Sequence, residues 1–473
     1  MTVVVLLGVG LVPLQGSVTA TPKAVATWTF MVYLDGDNNL ESYGVDDFLE
    51  MSSVGSTAQV NILVQFDRSP LTDWSGGTSD YGDWRTAKRF VVERGDEPTA
   101  AYQSSDLGEV NMGSGAVLQS FLQWGMGNYP ASNYALVLWD HGGGWVYGVC
   151  SDDTSSGDSL LLPEIRQAIS SAESATGKRI GLVGFDACLM GMTEVAYELS
   201  SLTDIVVFSE ETEPGQGWAY DKVLYALTSS PAMSAPQLGG VIVREYSQYY
   251  GSSGKETLSS VSTSAIAQVA SSLDAFSTEL SSAYALHGAQ VQQARSRSEH
   301  FEYEMFVDLY DFAHEVRLAA GPALTNAADQ LLQAIDGAVL SETNGNLRPG
   351  AHGLAIYFPD VISDLNLVGY RTDASLTKNT SWDEFLNLYF NGGSGGGGSD
   401  DFEDDGTYLL AKQLMLDLPQ YRSIGDGGAD LDWTYFLLSS PNDVVVQTSG
   451  VSGDTELFLF EEANVTSPPP GLR

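Results

Sequence analysis

Apolar residues along this chain fall into two kinds of run. Short, nearly unbroken apolar stretches recur at 27–36 (TWTFMVYLDG), 60–66 (VNILVQF), 135–138, 180–183, 204–208 (DIVVF) and 353–358 (GLAIYF). Runs of that length without polar alternation fit strands buried on both faces of a parallel sheet. Between them, apolar residues return at helical spacing over 40–51, 115–125, 161–175 and 191–199. Amphipathic helices are predicted over 235–248, 262–280, 304–317 and 323–338. Asn38 or Asn39 stands where the first helix needs a cap, and Pro163 falls in the first turn of the third. Residues 69–108, rich in Gly, Ser, Asp and Trp, read as hairpin and loop with a short strand at 89–92. Strands alternating with helices predict an α/β fold, a mostly parallel sheet sandwiched by helices.

Two of the central strands end in reactive side chains. YALVLWDHGGGW at 134–145 delivers His141, and IGLVGFDACLMGM at 180–192 delivers Cys188. Both break into Asp and small residues, the composition of loops at the carboxyl edge of an open α/β sheet, where such sheets place their ligands. A thiol is nucleophilic only as thiolate, so Cys188 needs a base; His141 can supply it and return the proton to a leaving amine. The amide of Gly142 or Gly143 is placed to face a developing oxyanion, with the amide of Cys188 as the second donor. For an isolated cysteine, plain packing is the commoner role. Two reactive residues at Gly-rich strand ends shift the balance toward function.

Charge narrows the partners. The 473 residues carry a formal net charge of −40 with a pI near 4.1, which a nucleic-acid backbone would repel. Such acidity suits saline or calcium-containing surroundings, cationic substrates, or simply solubility. The two cysteines, Cys150 and Cys188, rule out a disulfide scaffold, and a bridge between them would consume the nucleophile. Residues 1–20 are signal-like: an apolar core at 3–13 leads to Val18-Thr19-Ala20, with Ala20 as the last residue removed. That core is too short to span a bilayer, so no integral membrane span is expected and the protein is read as secreted. NGGSGGGGSD at 391–400 is a flexible linker, and 401–473 reads as a small, incomplete all-β module.

Four longer motifs carry a resemblance. WTFMVYLDGDNNLE at 28–41, LVLWDHGGGW at 136–145, GFDACLMGMTEVAYEL at 184–199 and SEETEPGQGW at 209–218 resemble clostripain-family cysteine peptidases, over a domain spanning 24–390. The resemblance implies a caspase-like fold, a His–Cys dyad and endopeptidase activity, with His141 matching the general base and Cys188 the nucleophile. It also implies cleavage after Arg or Lys, which needs a carboxylate in the S1 pocket. Asp186 matches one such acid. Inside the Pro-Gly-x-Gly-Trp turn, where an Asp is expected, this chain has Gln216; Glu211 and Glu213 are the nearby substitutes. Relatives that cut themselves after the catalytic His do so at a basic residue, whereas 142–165 contains neither Lys nor Arg.

The chemistry itself requires no cofactor, although Ca²⁺ is possible. Asp152, Asp153 and Asp158 are clustered oxygen donors without EF-hand spacing, read as a flexible, solvated acidic loop. His287, His300, His314 and His352 show no metal-ligand spacing; His314 is expected to pack on a helix and His352 to lead into a strand. The tail at 401–473 resembles part of the bacterial pre-peptidase C-terminal domain, with Asp430, Asp432 and Asp454 as its calcium candidates. The reading is a secreted, monomeric cysteine endopeptidase acting on protein or peptide substrates. The alternatives are a catalytically silent secreted protein that binds calcium or serves adhesion, and the same peptidase with a non-basic P1 preference.

Overall fold

The computed structural model describes residues 25–69, 77–82, 84–319 and 321–391, with the backbone of Lys412–Gln413 and Thr434–Tyr435. The signal-like segment, the 391–400 linker beyond its first residue, and Asp430, Asp432 and Asp454 lie outside the described residues. The chain enters on β1 (Ala26–Gly36), then α1 (Glu41–Val54), β2 (Val60–Arg68), β3 (Ala87–Val91) and β4 (Gln103–Gly108). α2 (Gly115–Asn128) leads into β5 (Ala131–Trp139), followed by the short α3 (Gly144–Tyr147) and a hairpin of β6 (Val149–Asp152) and β7 (Asp158–Leu160). Next come α4 (Leu162–Thr176), β8 (Leu182–Asp186), α5 (Thr193–Leu199) and β9 (Ile205–Phe208). α6 (Tyr220–Ser229), α7 (Ala235–Tyr250), β10 (Thr257–Ser262) and α8 (Thr263–Arg297) follow. The rest is β11 (Phe306–Asp308), α9 (Leu309–Ala319), α10 (Pro322–Ala338), β12 (Val339–Asn344), β13 (Ala355–Tyr357), α11 (Leu367–Asp373) and α12 (Trp382–Asn391).

Nine strands form one sheet in the order β12-β10-β9-β8-β5-β1-β2-β3-β4. The five central strands, β9 to β2, run parallel, and each edge is finished by two antiparallel strands. Alternate residues of β1 explain its unbroken apolar run. Met31 and Tyr33 join one core with α2, α4, α5 and α8; Phe30, Val32 and Leu34 join a second core with α1, α6 and α7. With both faces covered, a strand has no solvent side on which to be polar. This is the expected α/β sandwich.

The differences fall at the sheet edges. Among the helices predicted from 235 to 338 and just after them stand β10 and β12, which the apolar pattern did not signal. TLSSVS has little apolar character, but Ser259 and Ser260 are buried, and the Ser259 hydroxyl donates to the Gly353 carbonyl at 2.8 Å. The helix predicted at 304–317 begins only at Leu309, because Phe306–Asp308 pairs with β13. The acidic segment after His141 is the β6–β7 hairpin, with Asp152 fully buried; it is neither a loop nor solvated throughout.

Register places the site. Leu34 of β1 lies opposite Trp139 of β5, and Trp139 opposite Asp186 of β8, so β5 and β8 end level while β1 runs two residues further, to Gly36. Within β8, a Cβ on Gly184 would meet the Trp218 ring at 2.5 Å, so the glycine lets the 214–218 turn dock flat on the strand. Gly184→Ala overpacks this contact and is expected to lower stability by about 1–3 kcal/mol, measured by denaturant unfolding.

Candidate active site

His141 is fixed from two sides. The β5–β8 ladder continues past the strands through a bond from the Asp140 N–H to the Asp186 carbonyl at 3.2 Å, which sets the direction of the next residues. The imidazole Nε2 lies 2.8 Å from Oδ1 of Asn39, at the exit of β1. Its neighbour Asn38 donates to the Asp140 carboxylate at 2.7 Å and to the Ser151 carbonyl at 3.2 Å. Asn38 also accepts from the Leu40 N–H at 2.9 Å, while Asp140 accepts from the Ser151 N–H at 2.6 Å. The DNN turn after β1 is therefore pinned to the segment carrying His141. Asn39 Oδ1 accepts from Nε2–H, which leaves Nδ1 as the basic nitrogen. Desolvation lowers the pKa of His141, with Asp153 pulling the other way.

Cys188 lies two residues past the end of β8, as His141 lies two past β5. The next residue, Leu189, has φ +64, a left-handed conformation costing a side-chain-bearing residue about 1–2 kcal/mol. It is held there by bonds from Leu189 N–H to the Glu211 carbonyl (3.2 Å) and from Gly191 N–H to the Ser209 carbonyl (2.6 Å). The half-buried thiol Sγ is 3.9 Å from the Glu213 carbonyl, and desolvation pushes its pKa up. Burial thus favours the neutral form of both groups. A Cβ on Gly142 would come within 2.5 Å of the Cys188 carbonyl, so the two turns touch only because position 142 has no side chain. Among the described residues the N–H groups of Gly142 and Cys188 donate to no backbone carbonyl, that of Cys188 lying against its own thiol, whereas that of Gly143 is tied to the Gly148 carbonyl at 2.9 Å. Gly142, not Gly143, keeps a free donor.

The candidate S1 acids separate. Asp186 is buried; one oxygen accepts from Trp218 N–H at 3.1 Å and Tyr220 O–H at 2.8 Å, and burial raises its pKa to about 7. The Glu213 carboxyl lies against it with both oxygens buried, pushed up by burial and by Asp186 and opposed by the Ala187 N–H. Glu211 is different, and the expectation of a free acid there is corrected. Its buried carboxylate takes Nε and a terminal nitrogen of Arg348, both at 2.6 Å, with Lys255 at 3.4 Å. Gln216 is exposed at the tip of its turn.

Cys150 and Cys188 are both free thiols; Cys150 is buried, its Sγ 4.0 Å from the Trp139 carbonyl. The three hairpin acids do not share one site. Asp152 is buried and groups with Asp37 and Glu109, Asp153 acts on His141, and Asp158 accepts from Asn111 at 2.6 Å. His314 is half-buried on α9, and His352 precedes β13 stacked on Tyr310, ring centroids 4.4 Å apart. Asn39 was missed at the sequence level, where it reads as a helix cap. The available signal was the DNN run at the end of a strand that had to neighbour β5.

The fold is that of caspase-like cysteine proteases. A secreted C11 cysteine protease from Bacteroides thetaiotaomicron, solved with an irreversible peptide inhibitor, superposes with a TM-score of 0.56 at 20% identity, covering 76% of this chain and 99% of that one. An inactive zymogen C11 protease from Parabacteroides distasonis gives 0.52 at 18% identity, covering 77% and 99%. The Clostripain family model matches residues 32–389, and the chain belongs to that family, whose members are cysteine proteases. Clostripain of Hathewaya histolytica is 25% identical over 400 residues, 70% of this chain and 74% of that protein.

The Glu211–Arg348 pair anchors the 209–213 loop under Cys188. Arg348→Ala strands a buried carboxylate and is expected to destabilise the protein by about 3 kcal/mol. Adding Glu211→Gln should restore part of that loss in a double-mutant cycle followed by thermal unfolding.

Proposed function

We propose that this protein is a secreted cysteine endopeptidase that hydrolyses peptide bonds after Arg or Lys, using His141 as base and Cys188 as nucleophile. The carrying observation is the register that ends β5 and β8 level, with His141 and Cys188 each two residues beyond and two amides that donate to no backbone carbonyl beside them. In this reading the imidazole takes the thiol proton as sulfur attacks the scissile carbonyl carbon. The N–H groups of Gly142 and Cys188 hold the oxyanion. The imidazolium then protonates the leaving amine, and water, deprotonated by His141, cleaves the thioester. Asn39 fixes the ring and its tautomer. The low pKa of the imidazole and the high pKa of the thiol favour a neutral resting pair, with proton transfer coupled to attack.

Asp186 and Glu213 make the S1 floor. Two adjacent buried carboxyls, with no Lys or Arg beside them among the described residues, would gain most from a substrate guanidinium or ammonium. Glu211, already paired, and Gln216, exposed, are outside this reading. The signal-like segment supports secretion, and the structural relative from B. thetaiotaomicron is itself described as secreted. The absence of Lys and Arg over 142–165 supports work without a cut in that segment. Among the described residues, no helix is long and apolar enough to cross a membrane.

Cleavage of an Arg-amide substrate is the test. Cys188→Ala should lower kcat on the order of 10⁶-fold, and iodoacetamide should inactivate the wild type; undiminished turnover by Cys188→Ala excludes the dyad. With a neutral-P1 substrate, which does not engage the S1 acids, kcat/KM should rise with pH through a value below 6.5, because His141 must lose its proton and its pKa is lowered.

Specificity has its own test. Asp186→Asn or Glu213→Gln should lower kcat/KM for Arg substrates roughly 100-fold while sparing neutral P1 residues. Because a bound cation requires ionised acids and Asp186 rests near 7, KM for Arg substrates should rise as pH falls below about 7. A peptide-library profile without basic preference would overturn this assignment and leave the dyad standing.

A further inference from the structure

Two exposed aromatic rings stand beside the thiol, on the side away from the S1 acids. Tyr147, the last residue of α3, is 56% exposed, and Tyr303, three residues ahead of β11, is 37% exposed. Their rings meet edge to face with centroids 5.4 Å apart, and Tyr303 meets the buried Phe306 in the same way at 5.7 Å. A chain of contacts joins this pair to the nucleophile. A Cβ on Gly142 would come within 2.5 Å of the Cys188 carbonyl, and one on Gly143 within 2.7 Å of the Tyr147 Cβ. Burial raises the pKa of the Tyr303 hydroxyl, and Tyr147 and the Cys188 thiol add to the rise, which sets all three groups close together.

Both rings are carried by pinned backbone. α3 docks flat through Gly144, φ +63, where a Cβ would strike the Met192 sulfur and the Phe306 ring. The Tyr303 turn is closed by a bond from Phe306 N–H to the Tyr303 carbonyl at 2.8 Å and by one from Phe301 N–H to the Phe306 carbonyl at 3.1 Å. On either side of Tyr303, Lys255 pairs with Glu302 at 2.9 Å and Arg295 donates to the Glu304 carbonyl at 2.6 Å. The two faces of the sheet separate this pair from the S1 floor. Phe306, Trp145 and Met192 belong to the core shared with α2, α4 and α8, whereas Trp218 and Tyr220, which hold Asp186, belong to the opposite core. Cys188 thus has carboxyls on one side and aromatic rings on the other.

We infer that Tyr147 and Tyr303 form the S1′ subsite, an aromatic wall for an aromatic or large aliphatic side chain on the leaving side of the scissile bond. The inference rests on the peptidase reading of His141 and Cys188, and not on the preference for Arg or Lys. That chemistry sets the direction of a bound peptide. P1 lies on the S1 side of Cys188 with its carbonyl oxygen at the amides of Gly142 and Cys188, and His141 hands its proton to the leaving amine. The chain beyond the cleaved bond therefore passes over the segment that continues from His141, which leads through Gly142 and Gly143 to Tyr147. An apolar P1′ side chain seated on the two rings sheds water and, where it is aromatic, gains edge-to-face contact; a glycine gains neither. Rings already fixed by their surroundings lose little freedom when the side chain arrives.

A peptide library randomised on both sides of the cleaved bond, with products read by mass spectrometry, gives the P1′ profile whatever the P1 residue. Phe, Tyr or Leu at P1′ should exceed Gly by about tenfold in kcat/KM. That ratio should fall to near one in Tyr147→Ala/Tyr303→Ala and persist in Tyr147→Phe/Tyr303→Phe, because rings rather than hydroxyls make the wall; circular dichroism checks that both variants fold. Acyl transfer isolates the subsite from the P1 pocket. A methyl ester of the P1 residue that the library selects forms the thioester and releases methanol, and an added amine then competes with water. The amine nitrogen attacks the thioester carbonyl, the C–S bond breaks, and the amine proton passes through His141 to the sulfur. The wild type should choose phenylalaninamide over glycinamide, and the double alanine variant should not discriminate. Equal cleavage before Phe and Gly by the wild type overturns the subsite alone. So does a preference that survives the alanine pair, or one that the pair removes at P2 rather than P1′. Absence of thiol-dependent turnover across the whole library overturns it together with the dyad.

Discussion

The parallel register of β1, β5 and β8 is the constraint on which the site depends. Parallel strands carry all their carboxyl ends to one edge; the pairing Trp139–Asp186 makes the ends of β5 and β8 level, and β1, paired Leu34–Trp139, runs two residues further to Gly36. Asn39, His141 and Cys188 then arise from three segments distant in sequence without any segment reaching for another. A shift of one residue in either pairing would send the next side chain to the opposite face of the sheet. The apolar alternation of β1 between two cores prevents that shift, because either face would lose buried aromatic or aliphatic groups. Core packing is in this sense what aims the imidazole.

The same edge gathers negative charge. Asp140, Asp186, Glu213, Asp37 and Asp67 all have carboxyl groups pushed up by burial, and each lies near a turn following a central strand. They are handled in different ways. Asp140 is satisfied by Asn38 and Ser151, and Glu211 by Arg348 and Lys255. Asp186 with Glu213 on one side of the turn, and Asp37 with Asp67 on the other, have no Lys or Arg partner among the described residues. A folded protein tolerates such groups where an external positive charge completes them.

Much of this was legible in the chain itself. β1, β2, β5, β8 and β9 announce themselves as short apolar runs because both their faces are covered, and His141 and Cys188 stand out as reactive residues at two of their ends. The edge strands do not. QSSDLG, TLSSVS and VLSETN lack that signature, since an edge strand needs apolar groups on at most one face and can hide serines through local bonds such as Ser259 to Gly353. Asn39 was illegible because its role depends on a register between residues 102 apart, and the pairing of Glu211 because Arg348 lies 137 residues away. Residue type gave the chemistry; long-range pairing decided which acids were already used.

Pinned turns also bear on how the proposed His141–Cys188 dyad would work from a neutral resting state. Asp140 and Glu211 both act to raise the Cys188 pKa, so a preformed thiolate would face nearby negative charge as well as desolvation. Reactivity must come instead from geometry, with base, thiol and oxyanion donors in place before substrate arrives. The left-handed Leu189 is part of that arrangement. Its strain of about 1–2 kcal/mol is offset by two backbone bonds to 209–211, and that loop is itself held by Thr257, whose hydroxyl accepts from the N–H groups of Glu210 and Glu211 at 3.1 and 3.0 Å. The nucleophile turn is thus tied through β10 to the antiparallel part of the sheet, and the His141 turn through Asn38 to its parallel centre. Each half of the dyad is anchored to a different part of one rigid sheet, which fixes their separation even though no direct bond joins them.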